Sequence, residues 1–187
     1  MSTESDRSHA VIELPKGVSF TVDGKVLRAK GPLGSSHRPF PSDVIELKVA
    51  SGKATLTLLL PPGRKTSQAL LGTWAAHVKN LAAGLTLGVE AKLKVVAAHF
   101  PMKVQVRGEE LVIDNFLGEK YPRTTQLVPG TKALVEGEFV VLSGNDIEQV
   151  GQSAANIERV TKIREYDPRV FQDGIYLIER AHFKEVA

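Results

Sequence analysis

Ala98-His99-Phe100-Pro101-Met102-Lys103-Val104-Gln105-Val106-Arg107-Gly108-Glu109-Glu110-Leu111-Val112-Ile113-Asp114-Asn115-Phe116-Leu117-Gly118-Glu119-Lys120-Tyr121-Pro122-Arg123 is the stretch from which the fold is read. Val104 and Val106 alternate with Gln105 and Arg107, the period-two pattern of a half-buried strand. Gly108-Glu109 permits a tight reversal, and the run Leu111-Val112-Ile113 predicts a return strand covered on both faces. Basic residues flank the hairpin, His99 and Lys103 before it and Lys120 and Arg123 after it. A hairpin with basic ends suits a nucleic-acid-binding unit. It equally suits any small α+β domain, and spacing alone leaves both readings open.

Shifting the chain by 84 residues lays Phe20-Thr21-Val22-Asp23-Gly24 on Val104-Gln105-Val106-Arg107-Gly108. The same shift aligns Leu33-Gly34 with Leu117-Gly118, Val44 with Val128, Leu58 with Leu142 and Gln68 with Gln152. One offset that matches hairpins, loops, closing strands and helix starts implies an internal duplication. In the first copy, Val11 to Pro15 opens as a strand and Asp23-Gly24 marks a hairpin. Lys30 to Gly34 reads as a loop. Val44 to Val49 and Ala54 to Leu60 pair around Ser51-Gly52-Lys53, and Pro61-Pro62-Gly63 ends the sheet. Thr66 or Ser67 can cap a helix whose apolar stripe is Leu70, Leu71, Trp74, Val78 and Leu81, with Gly84 as its left-handed C-cap. In the second copy, Asp146 and Gln149 resemble a capping box ahead of Ile147, Val150, Ala154, Ile157 and Val160. Lys162 and Arg164 suit the negative end of that helix dipole. Ile175 to Ile178 can return as a strand, and Phe183 to Ala187 is expected to fray.

The expected fold is therefore α+β, with two tandem duplicated domains, each an antiparallel sheet packed against one main helix. The polar start, residues 1–9, reads as a disordered leader. The first repeat is expected over 10–85 and the second over 86–187.

Composition narrows the function. The chain has 187 residues, 42% apolar and 24% charged, which is ordinary for a folded protein. There is no cysteine, so thiolate catalysis, disulfides and Cys-based zinc sites are excluded together. No stretch has the roughly 18 apolar residues of a membrane span, and the expectation is a soluble, cytoplasmic protein. The five histidines show no metal-ligand spacing such as i, i+4. His77, on the first helix, reads as a packed or capping residue. No Gly-x-Ser-x-Gly elbow or Walker loop occurs. Glu109-Glu110 are turn charges, and Lys30 to Gly34 is a plain turn whose Pro32 lacks an N–H for phosphate. No enzyme, cofactor, small-molecule substrate or membrane partner is expected.

The net charge is +3 and the pI about 9.1. Residues 1–84 carry 11 Lys and Arg against 6 Asp and Glu, whereas residues 85–187 carry 13 against 15. Bulk charge points to the first half, but clusters matter more for phosphate contact. Lys92, Lys94, Lys103 and Arg107 form one group; Arg159, Lys162, Arg164 and Arg169 form another. Folded RNA is held through phosphates, 2′-hydroxyls and stacking. Lys120, Tyr121 and Arg123 supply two charges and a ring, as do Arg164, Tyr166 and Arg169. The two segments could share one edge of the second sheet. Scattered solvated cations, or a protein adaptor using exposed sheet edges, would show the same composition.

Six ordered runs carry a family resemblance: His77-Val78-Lys79-Asn80, Gly84-Leu85-Thr86-Leu87-Gly88, Ala98-His99-Phe100-Pro101, Asn115-Phe116-Leu117-Gly118-Glu119-Lys120-Tyr121, Gly144-Asn145-Asp146-Ile147-Glu148 and Asp173-Gly174-Ile175-Tyr176. Together they resemble the large-subunit ribosomal protein L-six family in its archaeal and eukaryotic form, over residues 10–180. The bacterial form is similar more loosely, through Gly151-Gln152-Ser153-Ala154-Ala155-Asn156-Ile157. The resemblance implies two similar α+β domains and a structural role without catalysis. It implies binding to 23S-type ribosomal RNA, mainly through the second domain, near the sarcin–ricin loop and the base of the factor-recruiting stalk. Neighbouring large-subunit and stalk-base proteins are the implied partners. Lys120, Tyr121 and Arg123 correspond to the family's loop after Leu-Gly, and Arg164, Arg169 and Gly174 to its C-terminal segment. Lys103 and Lys162 join this expected RNA-binding set from the basic clusters. Pro122-Arg123 replaces a bulkier, more basic stretch of eukaryotic members.

Overall fold

A computed structural model describes residues 9–50, 52–59, 65–164, 166–167 and 169–184. The leader expected over 1–9 lies outside these except for His9, which is already in a strand. Pro61-Pro62-Gly63 and residues 185–187 also lie outside. The chain divides into two units, the first ending at Leu87 and the second starting at Gly88.

The first unit contains β1 (His9–Glu13), β2 (Ser19–Asp23), β3 (Val26–Gly31), β4 (Gly34–Pro39), β5 (Ile45–Ala50), β6 (Lys53–Leu58) and α1 (Lys65–Leu87). Its strands form two antiparallel three-stranded sheets, β1-β6-β5 and β2-β3-β4. The second unit contains β7 (Val89–Val96), β8 (Lys103–Arg107), β9 (Glu110–Asp114), β10 (Arg123–Gln126), β11 (Thr131–Glu136), β12 (Phe139–Gly144), α2 (Ile147–Val160) and β13 (Gly174–Phe183). Its sheets are β8-β9-β10 and β11-β12-β7-β13. Element for element the second unit repeats the first and then adds β13. Register supports the match. Ala10 and Ile12 face Leu56 and Ala54, as Ala91 and Leu93 face Leu142 and Val140.

The duplicated α+β plan is thus present, with two small sheets per unit where one was expected. Two strands carry the difference. β4 reads Gly34-Ser35-Ser36-His37-Arg38-Pro39 and β10 reads Arg123-Thr124-Thr125-Gln126. Neither has apolar alternation, and each is an outer strand pinned to a central one, β3 or β9, by backbone bonds. The central strands do carry the signal. Leu111, Val112 and Ile113 on β9 are all buried.

Two turns shift slightly. The first hairpin reverses at Gly24-Lys25, with Asp23 still paired to Val26. The first helix runs through Gly84, which is buried and helical, and Gly88 takes the left-handed conformation at φ 77°. The unit boundary accordingly falls at 87/88 and not at the expected 85/86. Thr66 and Ser67 lie inside the first turn.

Each unit buries its own core. In the first, Phe20, Leu27, Ile45 and Leu56 meet Leu71, Trp74, Val78, Leu81 and Leu85 of α1. His77 is packed as expected, its ring 5.3 Å from that of Trp74 and its Nδ1 accepting from Arg38 at 2.7 Å. In the second, Leu93, Ile113, Phe116 and Leu142 meet Val150, Ala154 and Ile157 of α2. Asp146 caps α2 by accepting from the Glu148 N–H at 3.0 Å. Ser153, fully buried, accepts from the Val128 N–H at 3.0 Å and ties the helix to the β10–β11 connection.

β13 is fastened to α2 by side chains. The Ile175 N–H donates to the Thr161 hydroxyl at 3.1 Å, and the Leu177 N–H to Glu158 Oε1 at 2.8 Å. These bonds satisfy donors that point away from β7. Ile157, wholly buried between α2 and its sheet, tests the second core. Replacing it with Ala is expected to lower unfolding free energy by about 2–5 kcal/mol, through lost transfer energy plus a residual cavity, measured by urea denaturation.

Candidate nucleic-acid interface

Residues 115–122 join β9 to β10. In the first unit the corresponding connection between β3 and β4 is only Pro32-Leu33. The longer loop is tightly built. Asn115 and Leu117 both lie in the left-handed region, at φ 59° and 50°. Leucine there costs roughly 1–3 kcal/mol, so the surroundings must hold it. Phe116 is buried in the core. The Asn115 amide donates to the Pro101 carbonyl at 3.0 Å, and the Glu119 N–H donates to the Phe116 carbonyl at 2.9 Å. Lys120 and Tyr121 follow on this base. Tyr121 is 83% exposed, an uncommitted ring on a fixed loop. Lys120 is exposed and forms no ion pair among the described residues.

Arg123 is placed differently from its loop neighbours. It is the first residue of β10, and its guanidinium is turned inward. Nε and Nη2 donate to the two carboxylate oxygens of Glu119 at 2.9 and 2.6 Å. Nη1 donates to the Val160 carbonyl at 2.7 Å and more weakly to that of Lys162 at 3.4 Å. The cation also sits 4.2 Å from the Phe116 ring centroid. Most of its donors are therefore spent within the protein. It closes the carbonyl end of α2, where cationic donors are favourable.

Because Arg123 does that work, the nearby cations are released from it. Arg123, Thr124, Arg159, Val160, Lys162 and Arg164 line a groove of about 460 Å³. Arg159, Lys162 and Arg164 make no ion pair among the described residues, and Lys162 and Arg164 are exposed. Three such cations line one hollow, with Arg123 in its wall, an arrangement whose chemistry suits an anion. Of the 117–123 loop and the segment after 164, the groove brings together Arg123 and Arg164; Lys120, Tyr121, Tyr166 and Arg169 do not line it. Arg159 was visible in the sequence only as one charge of a cluster. Its signal is the three-residue helical spacing from Lys162.

The remaining expected residues lie elsewhere or act otherwise. Lys103 is on β8, the opposite edge of the β8-β9-β10 sheet from β10. It is exposed and opposite Asp114 in register. Arg169 is exposed, but it folds back on Asp167, Nη2 to Oδ2 at 2.8 Å, and this guanidinium with the Arg169 N–H holds that carboxyl below its usual range. Gly174 is buried at the start of β13, opposite Val96. A Cβ there would lie 3.0 Å from the exposed Tyr176 ring, so a side chain at 174 would push that ring aside.

Asp173 was missed as an organising residue. Its carboxylate, 2% exposed, accepts from the His99 N–H at 2.9 Å and from His99 Nδ1 at 2.7 Å. The bond requires the proton on Nδ1. His99 in turn packs on Phe171, with ring centroids 4.7 Å apart. Burial pushes the Asp173 carboxyl up, but the hydrogen bonds from His99 and the Ala98 N–H outweigh it and hold the pKa below the ordinary value. Two runs quoted for the family resemblance, at 98–101 and 173–176, thus meet in space.

Two outcomes are expected. Arg123→Ala should cost on the order of 1.5–3 kcal/mol through lost charge-assisted bonds, whereas Lys120→Ala should stay within about 0.5 kcal/mol, both read by chemical denaturation. Asp173 contributes stability that is full above the unfolded carboxyl pKa, about 3.9, and is lost as pH falls through the lower folded value. Asp173→Asn should therefore flatten the acid limb of a plot of denaturation midpoint against pH. An unchanged limb would remove Asp173 from this role.

The family described as "Ribosomal protein L6" matches residues 100–174 of the chain. The Large ribosomal subunit protein uL6 of Methanosarcina mazei is 47% identical over 170 residues, covering 91% of this chain and 96% of that protein. The protein of the same name from Methanospirillum hungatei is 46% identical over 171 residues, again covering 91% and 96%. That of Archaeoglobus fulgidus is 42% identical over 175 residues, covering 91% and 88%. With the duplicated α+β fold already in place, identity of this extent along nearly the whole chain is decisive: the chain belongs to the large-subunit ribosomal protein L6 family, in its archaeal and eukaryotic type.

Proposed function

We propose that this protein is a structural constituent of the large ribosomal subunit that binds 23S-type rRNA through the groove at the end of α2. The observation that carries the reading is the set of cations Arg159, Lys162 and Arg164, without an ion pair among the described residues, lining one hollow. Phosphate oxygens match such a surface, since guanidinium and ammonium groups donate several bonds each in a charge-assisted geometry. Lys120 and Tyr121 extend the contact from the rigid loop, Lys120 to phosphate and Tyr121 by stacking on a base or sugar. Arg123 acts by bracing the loop and the helix end, and Gly174 by leaving room for the Tyr176 ring. Lys103 and Arg169 are outlying contacts.

Membership of a ribosomal protein family makes the role architectural and not enzymatic. The family resemblance supports a binding site near the sarcin–ricin loop and the stalk base, beside neighbouring large-subunit proteins, in the cytoplasm. No described helix is long and apolar enough to cross a membrane. Supporting subunit assembly and translation is the function that follows.

The test is a salt titration of the purified protein with a 23S-type rRNA fragment. Counterion release predicts that log affinity falls linearly with log salt concentration. Replacing Arg159, Lys162 and Arg164 by Glu should weaken binding, with the slope reduced by about one for each phosphate that is no longer neutralised. Salt-independent binding, or full affinity in the triple variant, would refute the groove as the rRNA site.

A further inference from the structure

A second hollow adjoins the basic groove. It lies between the last turn of α2 and the start of β13 and has a volume of about 550 Å³. Arg159 and Lys162 line both hollows, so the two share a rim. The second differs in chemistry. Ala155, Ile163 and Ile175 give it apolar walls, and Phe171 and Tyr176 add two aromatic rings. The rings are set in place. Phe171 lies 4.7 Å, centroid to centroid, from both His99 and Tyr166. The Tyr176 hydroxyl donates to the Gln172 carbonyl at 3.1 Å. One acid also lines the space. Glu158 Oε1 is taken by the Leu177 N–H, while Oε2 has no partner among the described residues.

We propose that this hollow receives an unstacked nucleobase of the bound RNA, whose flanking phosphates stay in the groove between Arg159, Lys162 and Arg164. The inference rests on the rRNA-binding reading and adds the kind of nucleotide recognised. Three features of the hollow select a base over an apolar protein side chain. Its rim is cationic, as the mouth of a nucleotide site must be. Its walls carry the aromatic rings of Phe171 and Tyr176, and base–aromatic stacking tolerates any base. Its free carboxylate oxygen can accept an N–H from a base edge, which an aliphatic side chain lacks. The volume falls within the about 300–1,000 Å³ of ordinary ligand sites. Sequence-specific recognition of RNA targets bulges and loops, where bases can leave the stack.

The test uses the full chain and two RNA hairpins, one fully paired and one carrying a single unpaired 2-aminopurine. The bulged hairpin is expected to bind roughly 5- to 150-fold more tightly, the range for one stacked base, with a change in 2-aminopurine fluorescence. Ala155→Leu narrows the hollow from the helix side. It should abolish the advantage of the bulge and leave paired-hairpin affinity and its salt slope unchanged. Phe171→Leu, which keeps apolar volume but removes a ring, should reduce the advantage at an unchanged thermal midpoint, so that loss of folding is not mistaken for loss of a site. Equal binding of the two hairpins with a normal salt slope would overturn the base pocket and leave the phosphate groove standing. Binding of neither would overturn both. An Ala155→Leu variant that keeps the full bulge preference would place the base elsewhere.

Discussion

One guanidinium joins three parts of the second unit. Arg123 pairs with Glu119 in the loop, covers the Phe116 ring in the core and donates to the carbonyl end of α2. A lysine could not do this, because a single ammonium lacks the planar fork that meets a carboxylate and a carbonyl together. The first unit solves the same problem without a side chain. There the Leu33 N–H, in the short β3–β4 turn, donates to the Leu85 carbonyl in the last turn of α1. Gly31 makes that approach feasible, since a Cβ on it would stand 2.7 Å from the Leu85 Cβ. Among the described residues the longer connection of the second unit has no such backbone bond to its helix end, and Arg123 supplies the replacement from the far end of the loop.

The duplication therefore has an asymmetric outcome. Both units keep the hairpin, the outer strand, the second sheet and the helix. Among the described residues, only the second has the longer loop, the cations at the helix end and the extra strand β13. The first unit holds more positive charge overall, yet the groove belongs to the unit with net negative charge. Phosphate recognition depends on which charges lack a partner. In the first unit Arg28 is paired with Asp23 and Lys25 with Asp43. At the end of α2 the carboxylates are already engaged, Glu119 by Arg123 and one oxygen of Glu158 by β13.

What could be read from the sequence followed the hydrophobic pattern. Val104-Gln105-Val106, the run at Leu111 to Ile113 and the stripes of both helices state their burial in the order of residues. β4 and β10 were illegible because their pairing is dictated by the neighbouring strand and not by apolar residues of their own. The loop and the cluster around Arg164 were legible as chemistry, but not the division of labour within them. Arg123 and its helix-end carbonyl are 37 residues apart, and His99 and Asp173 are 74 apart. No local spacing encodes such partners.

The left-handed backbone at Asn115 and Leu117 has a consequence in time. A segment that orders only when its partner arrives must surrender its freedom at that moment, and the association is weaker for it. This loop has already done so during folding, with Phe116 inserted and Arg123 closed over it. The strain is charged to the stability of one polypeptide, where a whole hydrophobic core can carry it. What the loop offers a partner is a finished surface, and the entropy of shaping it falls outside any binding step.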